Sequence, residues 1–174
     1  MKNIKTKRMT LRALTPEDAE AIFELRSHPL TFQYVDIKPY ENVARAKKFI
    51  QAVMLDIETK EAEFWGLERD EDHVVLGTVC VWNYDDLHIK AELGYELNPK
   101  FYKQGYMNEA IKGVLEYLKS ESELKTLDAI THEANVPSLK LLENHQFVCL
   151  GKANEVDPEL DETPEMLLYR IHIS

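Results

Sequence analysis

The run ELGYELNPKFYKQGYMNEA at residues 92–110 constrains this chain more than any other. Residues 89–97 read as a strand, Asn98 and Pro99 mark a turn, and one glycine, Gly105, precedes a helix over 106–120. Met107, Ala110, Ile111, Val114, Leu115 and Leu118 recur at helical spacing, so that helix has one apolar face to bury. The junction aligns unpaired backbone N–H groups at the helix start. There the free amides and the helix dipole both favour negative charge, so the segment reads as a pyrophosphate cradle beside a strand end. It is neither of the common nucleotide fingerprints. The chain contains no G-x-x-x-x-G-K-[ST] and no G-x-G-x-x-G. A single-glycine junction of this kind more often only connects two elements.

Around it the chain alternates helices and strands. Residues 10–14 read as a first strand, and Thr15-Pro16 opens a helix that His28-Pro29 closes. Within 40–60, Val43, Ala46, Phe49, Ile50, Val53, Met54 and Ile57 mark a second helix. Strands are expected over 63–69, 74–83, 127–132, 147–152 and 166–173, with a helix over 137–145. The acidic stretch 154–165, with Glu155, Asp157, Glu159, Asp161 and Glu162, reads as an exposed loop. This mixed order implies an α+β fold, an α/β-type sandwich around one sheet. At 174 residues one domain over 1–174 is expected, with a real core.

Composition narrows the function. No apolar run is long enough for a membrane span. A net charge of -10 argues against general nucleic-acid binding, which needs a basic face, and is compatible with a cationic acceptor such as an amine. Two cysteines, Cys80 and Cys149, favour neither a disulfide framework nor a zinc site and suit a reducing cytoplasm. The six histidines show no metal spacing, so no metal is expected. Trp65 and Trp82 are expected to pack beside the sheet.

A second segment, NVPSLKLLENHQF at 135–147, completes a pattern. Together with Tyr102-Lys103-Gln104-Gly105-Tyr106-Met107 it resembles the GNAT superfamily of N-acetyltransferases, in the branch of ribosomal-protein N-terminal acetyltransferases (RimJ/RimL-like). That family's acetyl-CoA motif is [Q/R]-x-x-G-x-[G/A]. Gly105, Tyr106, Glu109 and Ala110 match the first branch pattern; Asn135, Ser138, Leu141, Glu143 and Phe147 match the later one. The opening around Arg8 to Ala19 also looks alike. Three positions depart: Tyr102 stands for Gln or Arg, Met107 for a small residue, and Gln146 for glycine.

The resemblance implies the GNAT fold: a central mixed, mostly antiparallel sheet with splayed middle strands and helices on both faces. It implies transfer of an acetyl group from acetyl-CoA to a primary amine by direct attack. The backbone of Lys103, Gln104, Gly105, Tyr106, Met107 and Asn108 would hold the pyrophosphate. Tyr95, Glu96 and Leu97 would offer strand-edge groups to the pantetheine arm, with a backbone N–H near Leu97 as oxyanion donor. Asn135 would bond the same arm, or only cap the next helix. Ser138 is the expected proton donor to the leaving thiolate, and Glu92 the expected base. An α-amine, with pKa about 7.8, needs little help at neutral pH, whereas a lysine amine near 10.4 needs more. A peptide or protein N-terminus, polyamines, amino acids and antibiotics stay open as acceptors, and a homodimer is compatible with the family. A non-catalytic CoA-binding regulatory module of the same fold is the alternative, and a third reading is a chain whose cofactor site has decayed.

Overall fold

The computed structural model of the protein describes residues 1–160 and 162–173; Asp161 of the acidic stretch lies outside them. Among the described residues eight strands form one sheet: β1 (Ile4–Lys5), β2 (Met9–Arg12), β3 (Glu63–Arg69), β4 (Val75–Trp82), β5 (Lys90–Leu97), β6 (Thr126–His132), β7 (Val148–Lys152) and β8 (Met166–His172). Their spatial order is β1-β2-β3-β4-β5-β6-β8-β7. Every neighbouring pair is antiparallel except β5 and β6. The two-residue β1 is too short to show any alternation, which is why the sequence does not announce it.

Helices cover both faces. On one lie α1 (Ala19–Ser27) and α2 (Val43–Thr59), whose Ile22, Leu25, Ala46, Ile50 and Val53 bury against Phe64 and Val75. On the other lie α3 (Tyr106–Glu121) and α4 (Val136–Asn144). The apolar stripe of α3, with Ala110, Val114 and Leu118 wholly buried, packs onto Trp65, Leu67, Val79 and Leu93. Each fully buried side chain the size of Val114 or Leu118 contributes ~1.5–3 kcal/mol relative to exposure. A short α5 (Ala153–Val156) opens the acidic stretch and fully buries Ala153, so the exposed loop begins later than the sequence suggests.

Local rules account for the helix ends. Asn42 caps α2 by accepting from Arg45 N–H at 3.2 Å. Lys60, at φ +64°, ends it in the left-handed conformation. The predicted helix from Pro16 is a 3₁₀ turn (Pro16–Asp18) running into α1, with the Asp18 carboxylate accepting from Thr15 N–H at 2.7 Å. Trp65 is buried and donates Nε1–H to the Lys2 carbonyl at 2.9 Å, whereas Trp82 is about half exposed. Gln146 sits at φ +67°, so the side chain replacing a family glycine occupies the conformation glycine would favour.

The functionally decisive irregularity is between β5 and β6. Their parallel ladder consists of Lys90↔Thr126, Ala91↔Leu127 and Glu92↔Asp128, and then stops. Beyond that point each strand stays with its outer neighbour, β5 with β4 as far as Gly77↔Leu97 and β6 with β8 as far as His132↔Met166. The two middle strands therefore part, and the expected splay is present.

Candidate active site

Register decides which backbone groups face the gap. In an antiparallel pair only alternate residues exchange N–H···O=C bonds with the neighbour. Asn98 donates to Leu76 O at 2.8 Å, and it follows the Gly77↔Leu97 pair. Counting back by twos, Glu96, Gly94 and Glu92 spend their peptide groups on β4. Leu93, Tyr95 and Leu97 turn theirs toward β6; the Glu92↔Asp128 pair takes Leu93, and among the described residues no strand is paired with β5 on that side at Tyr95 and Leu97. Tyr95 and Leu97 thus meet the expectation of free strand-edge groups. Glu96 does not: its peptide groups are taken by Thr78, and its carboxylate is bound by Arg26.

Past the gap, Asn98 and a 3₁₀ turn (Pro99–Phe101) lead into the cradle. Lys103 at φ +61° and Gly105 at φ +78° are both left-handed. A Cβ on Gly105 would meet only Arg8 Nη2, at 3.5 Å, so the glycine is required by its dihedral and not by crowding. Tyr106 and Met107 are buried in the core, so the Met107 side chain packs under the helix start instead of over it. The cradle is latched from behind. Glu109 accepts from Thr6 Oγ1, Arg8 N and Arg8 Nε, each at 2.7 Å, and Arg8 Nη1 donates to Gln104 O at 3.0 Å. Burial pushes the Glu109 carboxyl up, but these donors outweigh it and hold its pKa below the ordinary value. Arg8 also lies 4.2 Å above the Tyr106 ring. Arg8 was missed in the sequence because its partner is a hundred residues away.

Two further groups of residues flank the gap, one on each face of the sheet. On the α3/α4 face Ser138, buried in the first turn of α4, meets Tyr95 Oη at 2.6 Å and Thr131 Oγ1 at 3.0 Å. These three hydroxyls belong to α4, β5 and β6, so Ser138 spans the splay. Burial pushes the Tyr95 phenol up to about 12. Asn135 caps α4 by accepting from Ser138 N–H at 3.3 Å, the alternative to the pantetheine contact expected of it and compatible with that contact.

On the α1/α2 face the side chains are charged. Glu92 stands opposite Asp128 and lines a cavity of about 30 Å³ with Asn83, Lys90 and Leu160, large enough for water. Burial raises the Glu92 pKa; Asn83, its hydrogen-bond partner at 3.4 Å, pulls the other way, and Glu162 and Asp128 add to the rise. Asp128 is held by Arg170 through bonds of 2.6 and 2.7 Å. Further along, Glu96 pairs with Arg26 at 2.7 and 3.0 Å. That guanidinium also donates to Tyr40 Oη and lies 3.7 Å from the Phe49 ring centroid. Burial opposes the Arg26 charge, but Glu96 and Tyr40 more than offset it, and its pKa is raised. The Tyr34 ring, from the segment after α1, reaches His132 at the end of β6 with centroids 5.6 Å apart. Burial drives the neighbouring Cys80 thiol up to about 12, which leaves it unreactive.

A sheet split in the middle, a glycine-turned helix start beside the split and a carboxylate at its edge are the features to set beside known folds. The acetyltransferase (GNAT) domain family matches residues 8–148, and the chain belongs to that family. It is similar to the uncharacterized N-acetyltransferase YoaA of Bacillus subtilis, 31% identical over 139 residues that cover 80% of this chain and 78% of the relative. A GNAT-family acetyltransferase structure from Bacillus anthracis superposes with a TM-score of 0.84 at 22% identity, covering 98% of each chain. RimL, a ribosomal α-N-protein acetyltransferase solved with coenzyme A, superposes with a TM-score of 0.83 at 16% identity over 99% of this chain and 98% of its own. The protein is therefore an N-acetyltransferase, and acetyl-CoA is the donor that goes with this membership.

Proposed function

We propose that this enzyme acetylates the α-amino group of a peptide or protein N-terminus or a small primary amine, with Glu92 as base and Ser138 as donor to the leaving sulfur. One observation carries the reading: Glu92 and Ser138 stand on opposite faces of the sheet, and the β5–β6 gap is where the two faces communicate. Acetyl-CoA supplies an activated acyl group, so acetyl-CoA and a protonated amine give an amide, the thiol and one released proton. The Gly105 turn and the amides of Tyr106 to Asn108 would receive the pyrophosphate. Tyr95 and Leu97 would bond the pantetheine arm through the peptide groups they turn into the gap, with Leu97 N–H as oxyanion donor. Glu92, with its raised pKa, would take the amine proton directly or through water in its cavity. Asn135 would serve chiefly to fix the first turn of α4, and so the Ser138 hydroxyl.

An acceptor entering from the α1/α2 face meets Glu92, Asp128 and Glu96, which suits a cation. An α-amine near pKa 7.8 loses its proton to a carboxylate far more easily than a lysine amine near 10.4. RimL-like neighbours act on ribosomal proteins, which points to a protein N-terminus as acceptor. We take residues 1–174 as one functional unit in the cytoplasm. The test is a thermal-shift titration with acetyl-CoA on wild type and Gly105→Glu, followed by a panel of free-N-terminal peptides, N-blocked lysine peptides and polyamines. A stabilisation that Gly105→Glu abolishes, with turnover of free N-termini or small amines above that of N-blocked lysine peptides, is expected. Faster turnover of N-blocked lysine peptides would overturn the α-amine assignment.

A further inference from the structure

Hydroxyl groups offer one proton and two acceptor sites each, so a buried cluster of three can be accounted for completely. Among the described residues, Tyr95 Oη and Thr131 Oγ1 each have one hydrogen-bond partner, and in both cases it is Ser138 Oγ. If Ser138 donated to Tyr95, the phenol proton would be left in a part-buried place with no acceptor among the described residues, at a cost of up to about 1–3 kcal/mol. The arrangement without that cost has Tyr95 and Thr131 both donating. Both acceptor sites of Ser138 are then filled, and its own proton is left for a third partner, which the space between the parted strands can admit. Ser138 sits in the first turn of α4, where the helix dipole favours a negative partner.

We propose that Tyr95 and Thr131 are positioning residues, a fork of two donors that fixes the Ser138 hydroxyl as an obligate donor into the β5–β6 gap. The inference rests on the reading above, that the gap receives the thioester end of the acyl donor. It adds that Ser138 is oriented from outside itself. A sulfur leaving group of pKa about 8.5 does not pull the proton from a phenol held near 12. The fork therefore stabilises the sulfur anion by hydrogen bonding until it is protonated; the amine gives up two protons, one of which ends on the thiol and one of which is released through the opposite face.

The test needs no acceptor. Free CoA is bound to wild type, Tyr95→Phe, Thr131→Val, Ser138→Ala and the Tyr95→Phe/Ser138→Ala double variant. The thiol is titrated by its ultraviolet thiolate absorbance against enzyme alone, and calorimetry reports CoA affinity. In wild type the bound thiol should titrate about one unit below the free value near 8.5, a tenfold gain in thiolate at lower pH. Tyr95→Phe and Thr131→Val should each return it by about half a unit, roughly threefold, with CoA affinity nearly unchanged. In the Ser138→Ala background Tyr95→Phe should change nothing more. An equal Tyr95→Phe shift with and without Ser138, or bound CoA whose thiol titrates normally in wild type, overturns the fork. CoA that fails to bind at all overturns the donor-site reading itself, and the fork with it.

Discussion

The two faces of the split sheet differ in kind. Toward α3 and α4 the gap is lined by neutral hydroxyls, Tyr95, Thr131 and Ser138, and by peptide groups. Toward α1 and α2 it is lined by carboxylates, two of them tied to arginines, Asp128 to Arg170 and Glu96 to Arg26, while Glu92 bonds the neutral Asn83. Neutral donors suit the side where a negative sulfur leaves, because they stabilise the anion without binding it permanently. Carboxylates suit the side where a cation arrives and loses a proton. The direction proposed for the reaction through the sheet follows from this contrast between its two surfaces.

The comparison breaks most visibly at Glu92. Glu92→Gln should lower kcat by about 10²–10³-fold while leaving CoA affinity unchanged, since the loss is of a base on the other face. In wild type kcat should fall as pH drops through the raised Glu92 pKa, and the variant should lose that limb. Stability should move the opposite way. A folded pKa raised above its unfolded value near 4.3 gives stability that is present below that value and lost as pH rises through the folded one. At pH 7 the ionised Glu92 is therefore a cost, and Glu92→Gln should raise Tm. A variant that loses both activity and Tm would show that Glu92 is structural.

A smaller effect is expected at Arg26. It is 13% exposed and its partner Glu96 20%, so the pair is largely but not fully dry. Arg26→Ala strands a carboxylate and removes a guanidinium stacked on Phe49, which should cost about 2–3 kcal/mol in urea unfolding. Adding Glu96→Gln should recover part of that loss, because the stranded charge is gone. CoA affinity should be nearly untouched in both, as the pair lies on the acceptor face. A large drop in CoA affinity would mean the two faces are mechanically coupled through β5.

How much of this was legible follows the range of the interactions. The β5–turn–α3 junction, the α4 cap at Asn135 and the helix spans are local, and the sequence shows them. The Gly105 conformation is local too. The splay, GNAT-like as the resemblance implied, has no periodic signature, because β5 and β6 each read as an ordinary strand wherever their pairing ends. Tyr95 was expected only as backbone; its hydroxyl meets Ser138 across 43 residues. Glu96 was expected beside Tyr95 and Leu97 as a cofactor contact. Strand parity turns its peptide away, and parity is set by the register with β4, which composition does not encode. Arg26 and Glu96 are 70 residues apart, so neither announces the other.

The smallest expected effect is at Asp18, remote from both surfaces of the gap and therefore a control on the comparison. Its carboxylate accepts from Arg12 at 2.8 and 2.9 Å and from Thr15 N–H at 2.7 Å. Burial pushes its pKa up, but Arg12 and Thr15 outweigh it, and the folded value lies below the ordinary one. By linkage this group gives stability that is present above its unfolded pKa near 3.9 and lost as pH falls through the folded pKa. Asp18→Asn should lower stability at pH 7 by about 1 kcal/mol, because Arg12 keeps Glu68 as a partner. The variant's Tm should then fall less steeply than wild type's below about pH 4. Its kcat and CoA affinity should match wild type, since no Asp18 contact reaches β5 or β6. If activity falls with stability, the α1 side of the acceptor face depends on this anchor, and the charged surface is one coupled network instead of two separate ion pairs beside Glu92.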